Sequence, residues 1–171
     1  MFSDTLKKTK MTIESIRFLI REFLFEADRS RVLPRRTETI YVEGTQRVLV
    51  FAKKRDGSSP AQEFIDSLPN AEKNSIQRYI TAFSQGQRLS DTQFKIESKQ
   101  TASIRGTHKT VTIVAFKAFQ ARLLGVMEGT INGKSRLALT NGLIKKKDKM
   151  PTTDLNRAIT IFEEYEDYLA R

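Results

Sequence analysis

The sequence predicts an α+β protein in which a small antiparallel sheet packs against a helical hairpin and a C-terminal helix. Three observations indicate this class: runs rich in β-branched residues recur in the second half of the chain, amphipathic helical segments flank them, and turn signals separate neighbouring runs. The order of one strand, two helices, three strands and a final helix is typical of helices gathered on one face of an antiparallel sheet.

An N-terminal helix precedes this core. Apolar residues between Thr12 and Ala27 recur at helical spacing, and a basic, proline-containing connector follows over residues 28–39. In one interpretation this helix packs on the domain's own sheet, and in the other it docks a partner or a second copy of the chain.

A short hairpin follows the connector. Two β-like runs, residues 40–42 and residues 47–52, flank four residues that read as a turn. We therefore divide the chain into an N-terminal helix and connector extension, residues 1–46, and a main domain, residues 47–171.

A pair of helices comes next. Ser59 is a predicted N-cap and Pro60 suits the first helical position, so a short helix begins there and runs to Leu68. A second helix covers residues 71–85 and ends before Gly86. Because only two residues connect them, we expect an antiparallel helical hairpin.

Three strands complete the predicted sheet. Their β-branched and aromatic content identifies them, and their bounds are Thr110 to Phe116, Phe119 to Met127 and Leu137 to Ile144. Asn132-Gly133 is a strong signal for a two-residue turn between the last two strands. Upstream, Phe94 and Ile96, which alternate with Lys95 and Glu97, indicate a short edge strand, and the polar residues 98–109 are predicted to form a loop.

The last helix is predicted to begin at Pro151. Its apolar positions keep helical period, and acidic residues between them predict an acidic outer face. Those acidic residues are Glu163, Glu164, Glu166 and Asp167.

Charge is concentrated in one part of the chain. The net charge is +10, and residues 101–151 contain ten Lys or Arg but only two acidic residues, Glu128 and Asp148. A localised basic field suits a polyanionic partner such as RNA, DNA or the ribosome, and a solvated basic surface is the alternative.

Composition excludes several classes of function. The sequence has no cysteine and one histidine, so thiolate chemistry and metal sites are disfavoured. Phosphate-binding glycine loops are absent, and no cofactor is predicted. No apolar run approaches the roughly 18 residues of a membrane span, and charged residues interrupt any N-terminal signal peptide, so we expect a cytoplasmic protein without a membrane partner.

After these exclusions, the chemistry that the sequence can support is cleavage of RNA by basic side chains. Cleavage by the RNA's own 2′-hydroxyl requires a base, a proton donor and positive charge around the phosphate. Arginine can hold a phosphate through two hydrogen bonds, and a lysine surrounded by cations releases its proton more readily. The candidate catalytic residues are Arg122, Lys117, Lys145, Lys146 and, as a possible general base in a polar segment, His108.

A second set of basic residues is expected to contact nucleic acid outside the reacting centre. These candidates are Arg105, Lys109, Arg136, Lys147 and Lys149. For the lysine run that follows the last strand, the alternative is a solvated strand end that discourages edge-to-edge pairing.

Ordered segments of the chain resemble the RelE/ParE superfamily, most closely its phage-associated HigB-like branch. The segments are Phe119-Gln120-Ala121-Arg122-Leu123-Leu124, Leu139-Thr140-Asn141-Gly142-Leu143-Ile144-Lys145-Lys146, Lys149-Met150-Pro151, Arg157-Ala158 and, upstream, Phe64-Ile65-Asp66-Ser67-Leu68-Pro69. The resemblance covers about residues 47–168.

The resemblance implies the toxin of a type II toxin–antitoxin pair, a metal-independent mRNA endoribonuclease that acts on the ribosome and is neutralised by a cognate antitoxin. It implies a RelE-like fold. It places the family's strand arginine at Arg122, its paired lysines at Lys145 and Lys146, and the strand-end basic residue at Lys117.

The chain departs from the branch at four positions. Asn141 stands where the branch commonly has histidine, Leu143 where it has phenylalanine and Met150 where it has threonine, while Ala115 replaces the usual glutamate. The ParE side of the superfamily poisons DNA gyrase without nuclease chemistry. A non-catalytic binder of RNA, DNA or a protein target such as gyrase is therefore the alternative function.

Overall fold

The computed structural model describes residues 38–146 and 149–170, and the predicted N-terminal helix and Lys147 lie outside these ranges. The described residues form an α+β fold with a six-stranded sheet and three helices, as the sequence predicts at this coarse level. In chain order the elements are β1 (Ile40–Glu43), β2 (Arg47–Phe51), α1 (Pro60–Ser67), α2 (Asn70–Ser84), β3 (Phe94–Ile104), β4 (Thr107–Ala118), β5 (Ala121–Ile131), β6 (Lys134–Ile144) and α3 (Thr152–Leu169).

The strand order across the sheet is β1-β2-β6-β5-β4-β3. Neighbouring strands are antiparallel except β2 and β6, which pair in parallel, with Leu49 opposite Leu137. The prediction of a purely antiparallel sheet was therefore wrong for this pair. Parallel neighbours need a long crossover, and here the helical pair and three strands separate β2 from β6 along the chain.

Helices cover both faces of the sheet, whereas the sequence predicted one face. Side chains alternate along each strand, so Ile113 and Ala115 of β4 pack in the cluster that contains α3, while Val114 and Phe116 pack in the cluster that contains α1 and α2. Both clusters are buried, and the sheet therefore lies between two helical layers. Strand patterns that are apolar at every position, such as residues 113–116, reflect this double coverage.

The ends of the helical pair match the sequence signals. The Ser59 hydroxyl accepts a hydrogen bond from the Gln62 backbone N–H at 3.5 Å, and Pro60 is the first helical residue. Gly86 follows the end of α2 with φ of +81°, a conformation that glycine adopts without a Cβ penalty.

Strand β3 extends the predicted short edge strand, and the β3–β4 hairpin replaces the loop predicted for residues 98–109. Strand β3 has eleven residues, and a two-residue turn joins it to β4 with φ of +51° at Arg105 and +74° at Gly106. The prediction was wrong because this arm is largely polar and exposed, and arginine is not a usual residue at a left-handed position. At Asn132-Gly133 the predicted turn between β5 and β6 is confirmed.

Strand β1 belongs to the same sheet as the main domain. It pairs antiparallel with β2, and Gly44 N–H donates to the Arg47 carbonyl at 3.0 Å in the connecting turn. Residues 40–43, which the sequence assigned to the extension, thus belong to the sheet. Among the described residues, no helix has the length and apolarity to cross a membrane.

Candidate active site

Cations from three strands converge at one end of the sheet. Lys117 at the end of β4 lies opposite Arg122 at the start of β5, because a two-residue connection joins these antiparallel strands. The Lys145 backbone N–H donates to the Gln120 carbonyl at 2.8 Å, which fastens the end of β6 to that connection. Strand pairing therefore assembles charges that are far apart in the sequence.

A cleft of about 460 Å³ lies between this end of the sheet and the start of α3. Its lining combines four basic residues, one carboxylate and two apolar side chains. These are Lys95, Lys117, Lys145, Lys149, Glu97, Met150 and Leu155. A second cavity of about 540 Å³, which shares Lys145 and Lys149, adds Lys146 and the N-terminal residues of α3.

Lys95 and Glu97 line this cleft and are not among the sequence candidates, and the carboxylate of the cleft belongs to Glu97. It lies at a β-bulge, since Ile96 pairs with Val114 and Ser98 with Ile113 and no partner is left for the residue between. Its side chain is only 9% exposed, and its carboxylate lies 3.9 Å from the Lys95 ammonium. The sequence placed Glu97 in the short edge strand with Phe94 and Ile96, but no signal indicated that its side chain would line a basic cleft.

The cleft lowers the pKa of Lys117. Partial burial is the main cause, and repulsion from Arg122 and Lys95 adds to it, while attraction to Glu97 and Asp91 opposes it. An ammonium with a lowered pKa gives up its proton more readily, as a general acid must. Lys117 is thereby suited to proton transfer as well as to charge stabilisation.

Arg122 is held in place by the turn that precedes it. Its Nη1 donates to the carbonyls of Phe119 and Ala121, each at 2.8 Å. Partial burial lowers the pKa of Arg122, and the Glu97 carboxylate opposes that effect. These hydrogen bonds use one of the three guanidinium nitrogens, so the others have donors available for a phosphate.

The start of α3 adds a favourable field to the same end of the sheet. Pro151 is its N-cap residue, and no side-chain hydrogen bond caps the helix there. The N-terminus of a helix carries partial positive charge from its free N–H groups, which favours anions nearby. Asp154 of the first turn also lines this second cavity and partly offsets the field.

Three sequence candidates lie at the opposite end of β4. His108, Arg105 and Lys109 are exposed at or near the β3–β4 turn, and Lys109 pairs with Glu128 at 3.3 Å. His108 precedes Lys117 by nine positions on one strand, which at about 3.3 Å per residue separates them by roughly 30 Å. The structure therefore places His108 far from the cleft that Lys117 lines.

Arg136 was expected to face nucleic acid, and this expectation was wrong. Its side chain is 2% exposed, with Nη2 2.6 Å from Glu38 and Nη1 2.7 Å from Glu166. Burial on its own lowers the pKa of Arg136, but the Glu166 and Glu38 charges outweigh it and raise that pKa. Glu166, predicted on the acidic outer face of the last helix, is likewise buried.

The remaining observations concern metal binding and similarity. Within residues 38–146 and 149–170, no group of three or more His, Cys, Asp or Glu side chains is placed to hold a metal ion. Comparisons with protein-family models, with curated proteins and with solved structures found no match.

Proposed function

We propose that this protein is a metal-independent mRNA endoribonuclease that acts on ribosome-bound message as the toxin of a type II toxin–antitoxin pair. The observation that carries the proposal is the cleft that Glu97 lines together with Lys95, Lys117 and Lys145, with the Glu97 carboxylate 3.9 Å from the Lys95 ammonium. Such a cleft offers a proton acceptor, a proton donor and positive charge within one space.

The reaction is transesterification within the RNA strand. The Glu97 carboxylate accepts the proton of the 2′-hydroxyl, and the 2′-oxygen attacks the adjacent phosphorus. The bond from phosphorus to the 5′-oxygen breaks, and the Lys117 ammonium donates its proton to that leaving oxygen. The products are a 2′,3′-cyclic phosphate and a 5′-hydroxyl, and Arg122, Lys145 and Lys149 stabilise the negative charge that develops on the phosphate.

The resemblance to HigB-like toxins supports this assignment independently of the carboxylate. The strand arginine and paired lysines of that branch correspond to Arg122, Lys145 and Lys146, and all three lie at the end of the sheet that forms the two cavities. A cytoplasmic protein that is neutralised by a cognate antitoxin fits the same resemblance. An antitoxin that covers this end must match its positive charge.

Inducible expression with mapping of mRNA 5′ ends tests the proposal. The wild-type protein should arrest growth and create discrete new 5′ ends. Glu97→Gln and Lys117→Ala should each reduce cleavage by about 10²-fold or more, the usual contribution of a general acid or base. Arg122→Ala and Lys146→Ala should also weaken cleavage.

His108→Ala is the matched control, because His108 is exposed and remote from the cleft. It should retain wild-type cleavage. Full cleavage by the Glu97→Gln variant, in protein shown to be folded, would contradict the assigned base.

A second function, binding to RNA without cleavage, is favoured by one observation. Asn141, at the position where the branch commonly has histidine, is 1% exposed and accepts a hydrogen bond from the Thr140 hydroxyl. The protein therefore has no imidazole at this position that could transfer a proton. Growth arrest with intact mRNA in the same experiment would support this second function over the first.

A further inference from the structure

Phe119 is the most exposed of the large hydrophobic side chains in the described part of the chain, at 75%. It occupies the connection between β4 and β5 with φ of +50°, a left-handed conformation that is rare for a bulky residue. A glycine or asparagine would fit this turn with less strain. An aromatic ring that is both exposed and strained adds nothing to the core, which points to a contact outside the chain.

The turn that presents this ring is anchored on both sides. Arg122 Nη1 donates to the Phe119 carbonyl at 2.8 Å, and the Lys145 N–H donates to the Gln120 carbonyl at 2.8 Å. Both anchoring residues also belong to the candidate active site. The backbone that bears the ring is therefore fixed beside the proposed phosphate-binding groups, so little main-chain freedom is lost when the ring binds a partner.

The charges around Phe119 define the kind of partner. Lys117 precedes the ring by two residues, and Lys145 and Lys146 lie at the end of the adjoining strand. Aromatic rings set among basic residues suit single-stranded nucleic acid, whose bases stack on the ring while its phosphates meet the cations. A duplex buries the faces of its bases, and an apolar protein partner would not require the cations.

We propose that Phe119 is a stacking platform for an unpaired base of single-stranded RNA that lies next to the phosphates held in the cleft. The inference rests on the proposed function and specifies its substrate as an unpaired strand with one base turned outward. Stacking is tolerant of base identity, so the platform selects for single-strandedness more than for sequence.

Tryptophan fluorescence tests the platform directly, because the sequence contains no tryptophan. Phe119→Trp introduces a single indole at the proposed contact. A short oligouridine with 2′-O-methyl groups throughout cannot be cleaved and serves as the probe. It should quench the indole saturably, whereas its duplex with oligoadenosine should not. Ile40→Trp, 38% exposed on the opposite edge strand, is the matched control and should not be quenched.

Fluorescence anisotropy of the labelled oligouridine measures how much the Phe119 ring contributes to the affinity for RNA. Phe119→Ala should weaken binding about tenfold or more, and Phe119→Tyr should stay within about twofold of the wild type. If Phe119→Leu binds as tightly as Phe119→Tyr, or if Phe119→Ala binds like the wild type, the stacking platform is wrong.

The same measurements separate this inference from the proposed function. Wild-type affinity in Phe119→Ala would overturn the platform and leave the cleft as an RNA site. If the wild-type protein does not bind the oligouridine at all, the stacking platform is wrong. The cleavage proposal is decided separately, by the mapping of mRNA 5′ ends.

Discussion

Glu97 changes the chemistry that the basic end of the sheet can perform. Lysine and arginine attract phosphate and stabilise its charge, but a carboxylate adds an acceptor for a proton. Its placement also depends on a bulge, which adds a residue to β3 between the positions that pair with Val114 and Ile113. The electrostatic coupling between Glu97, Lys117 and Arg122 follows from this arrangement.

We expect Glu97→Gln and Arg122→Gln to shift the pKa of Lys117 in opposite directions. Glu97 raises that pKa and Arg122 lowers it, so removing the carboxylate should lower it further and removing the guanidinium should bring it back up. NMR titration of ¹³C-labelled lysine, with the signal assigned through Lys117→Arg, measures both shifts.

The control for this titration is Glu163→Gln. Glu163 binds the Ser103 backbone N–H at 2.6 Å, near the opposite end of the β3–β4 hairpin, and its loss should leave the Lys117 titration unchanged. Shifts of the same sign in the Glu97 and Arg122 variants would show that the coupling assigned here is wrong.

Arg136 gives a second prediction, on stability. Arg136→Ala removes the guanidinium that pairs with the buried carboxylates of Glu38 and Glu166, and breaking a buried ion pair in this way costs about 3–5 kcal/mol. Urea unfolding measures the loss. Lys134→Ala on the same strand removes an exposed pair with Glu43 and should cost less than about 1 kcal/mol. Equal losses in the two variants would contradict the prediction.

Two segments that are far apart in the sequence meet where α1 packs on β6. The ring of Phe64 lies over Gly142, and a Cβ at position 142 would overlap it. Their shared role is therefore a packing contact between helix and sheet. Glycine is required here by space and not by backbone conformation.

Gly142→Ala should therefore destabilise the fold. Overpacking of this kind costs about 1–3 kcal/mol, which thermal or urea unfolding would detect. The same substitution in a Phe64→Ala background should cost clearly less, because the ring that it meets is gone. Independent, additive losses in this double-mutant cycle would show that the two residues do not form the contact.

In the described part of the chain, basic residues lie at both ends of the β3–β4 hairpin. The cleft end of the sheet carries Lys117, Lys145 and Lys149, while Arg105 and Lys109 lie near the opposite end of the β3–β4 hairpin. RNA bound in the cleft should depend on the first region far more than on the second, since electrostatic contacts act within about a Debye length.

The salt dependence of RNA binding tests this division. Replacing both Lys145 and Lys149 with alanine should reduce the slope of log K against log salt by about 1.4, because each phosphate contact to a single strand contributes about 0.7. The pair Arg105→Ala and Lys109→Ala removes the same charge and should leave the slope nearly unchanged. Equal effects of the two pairs would indicate diffuse attraction in place of a defined cleft.

Some elements were predictable because their signals are local. Ser59 and Pro60 start a helix through their own backbone chemistry, and Asn132-Gly133 adopts the left-handed conformation that a tight hairpin requires. The β3–β4 hairpin was missed because its arm is polar, and periodicity cannot distinguish such a strand from a loop.

The residues of the candidate site, likewise, were only partly predictable from the sequence. Arg122, Lys145 and Lys146 could be named from the sequence, since their residue types and order carry the family resemblance. Glu97 could not, because it enters the cleft only through the bulge on a neighbouring strand. Arg136 looked like a surface cation, and burial beside Glu38 and Glu166 became visible only with the pairing of distant segments.

The amino-acid sequence alone thus established the α+β class, the helix ends, the tight turn at Asn132-Gly133 and the concentration of basic residues in one segment, since each follows from local conformational preference or from counting. Tertiary structure established the parallel β2–β6 pair, the helices on both faces, the interior position of Arg136 and the presence of Glu97 beside Lys117. These depend on which distant segments pair, and pairing is decided by packing across the whole sheet.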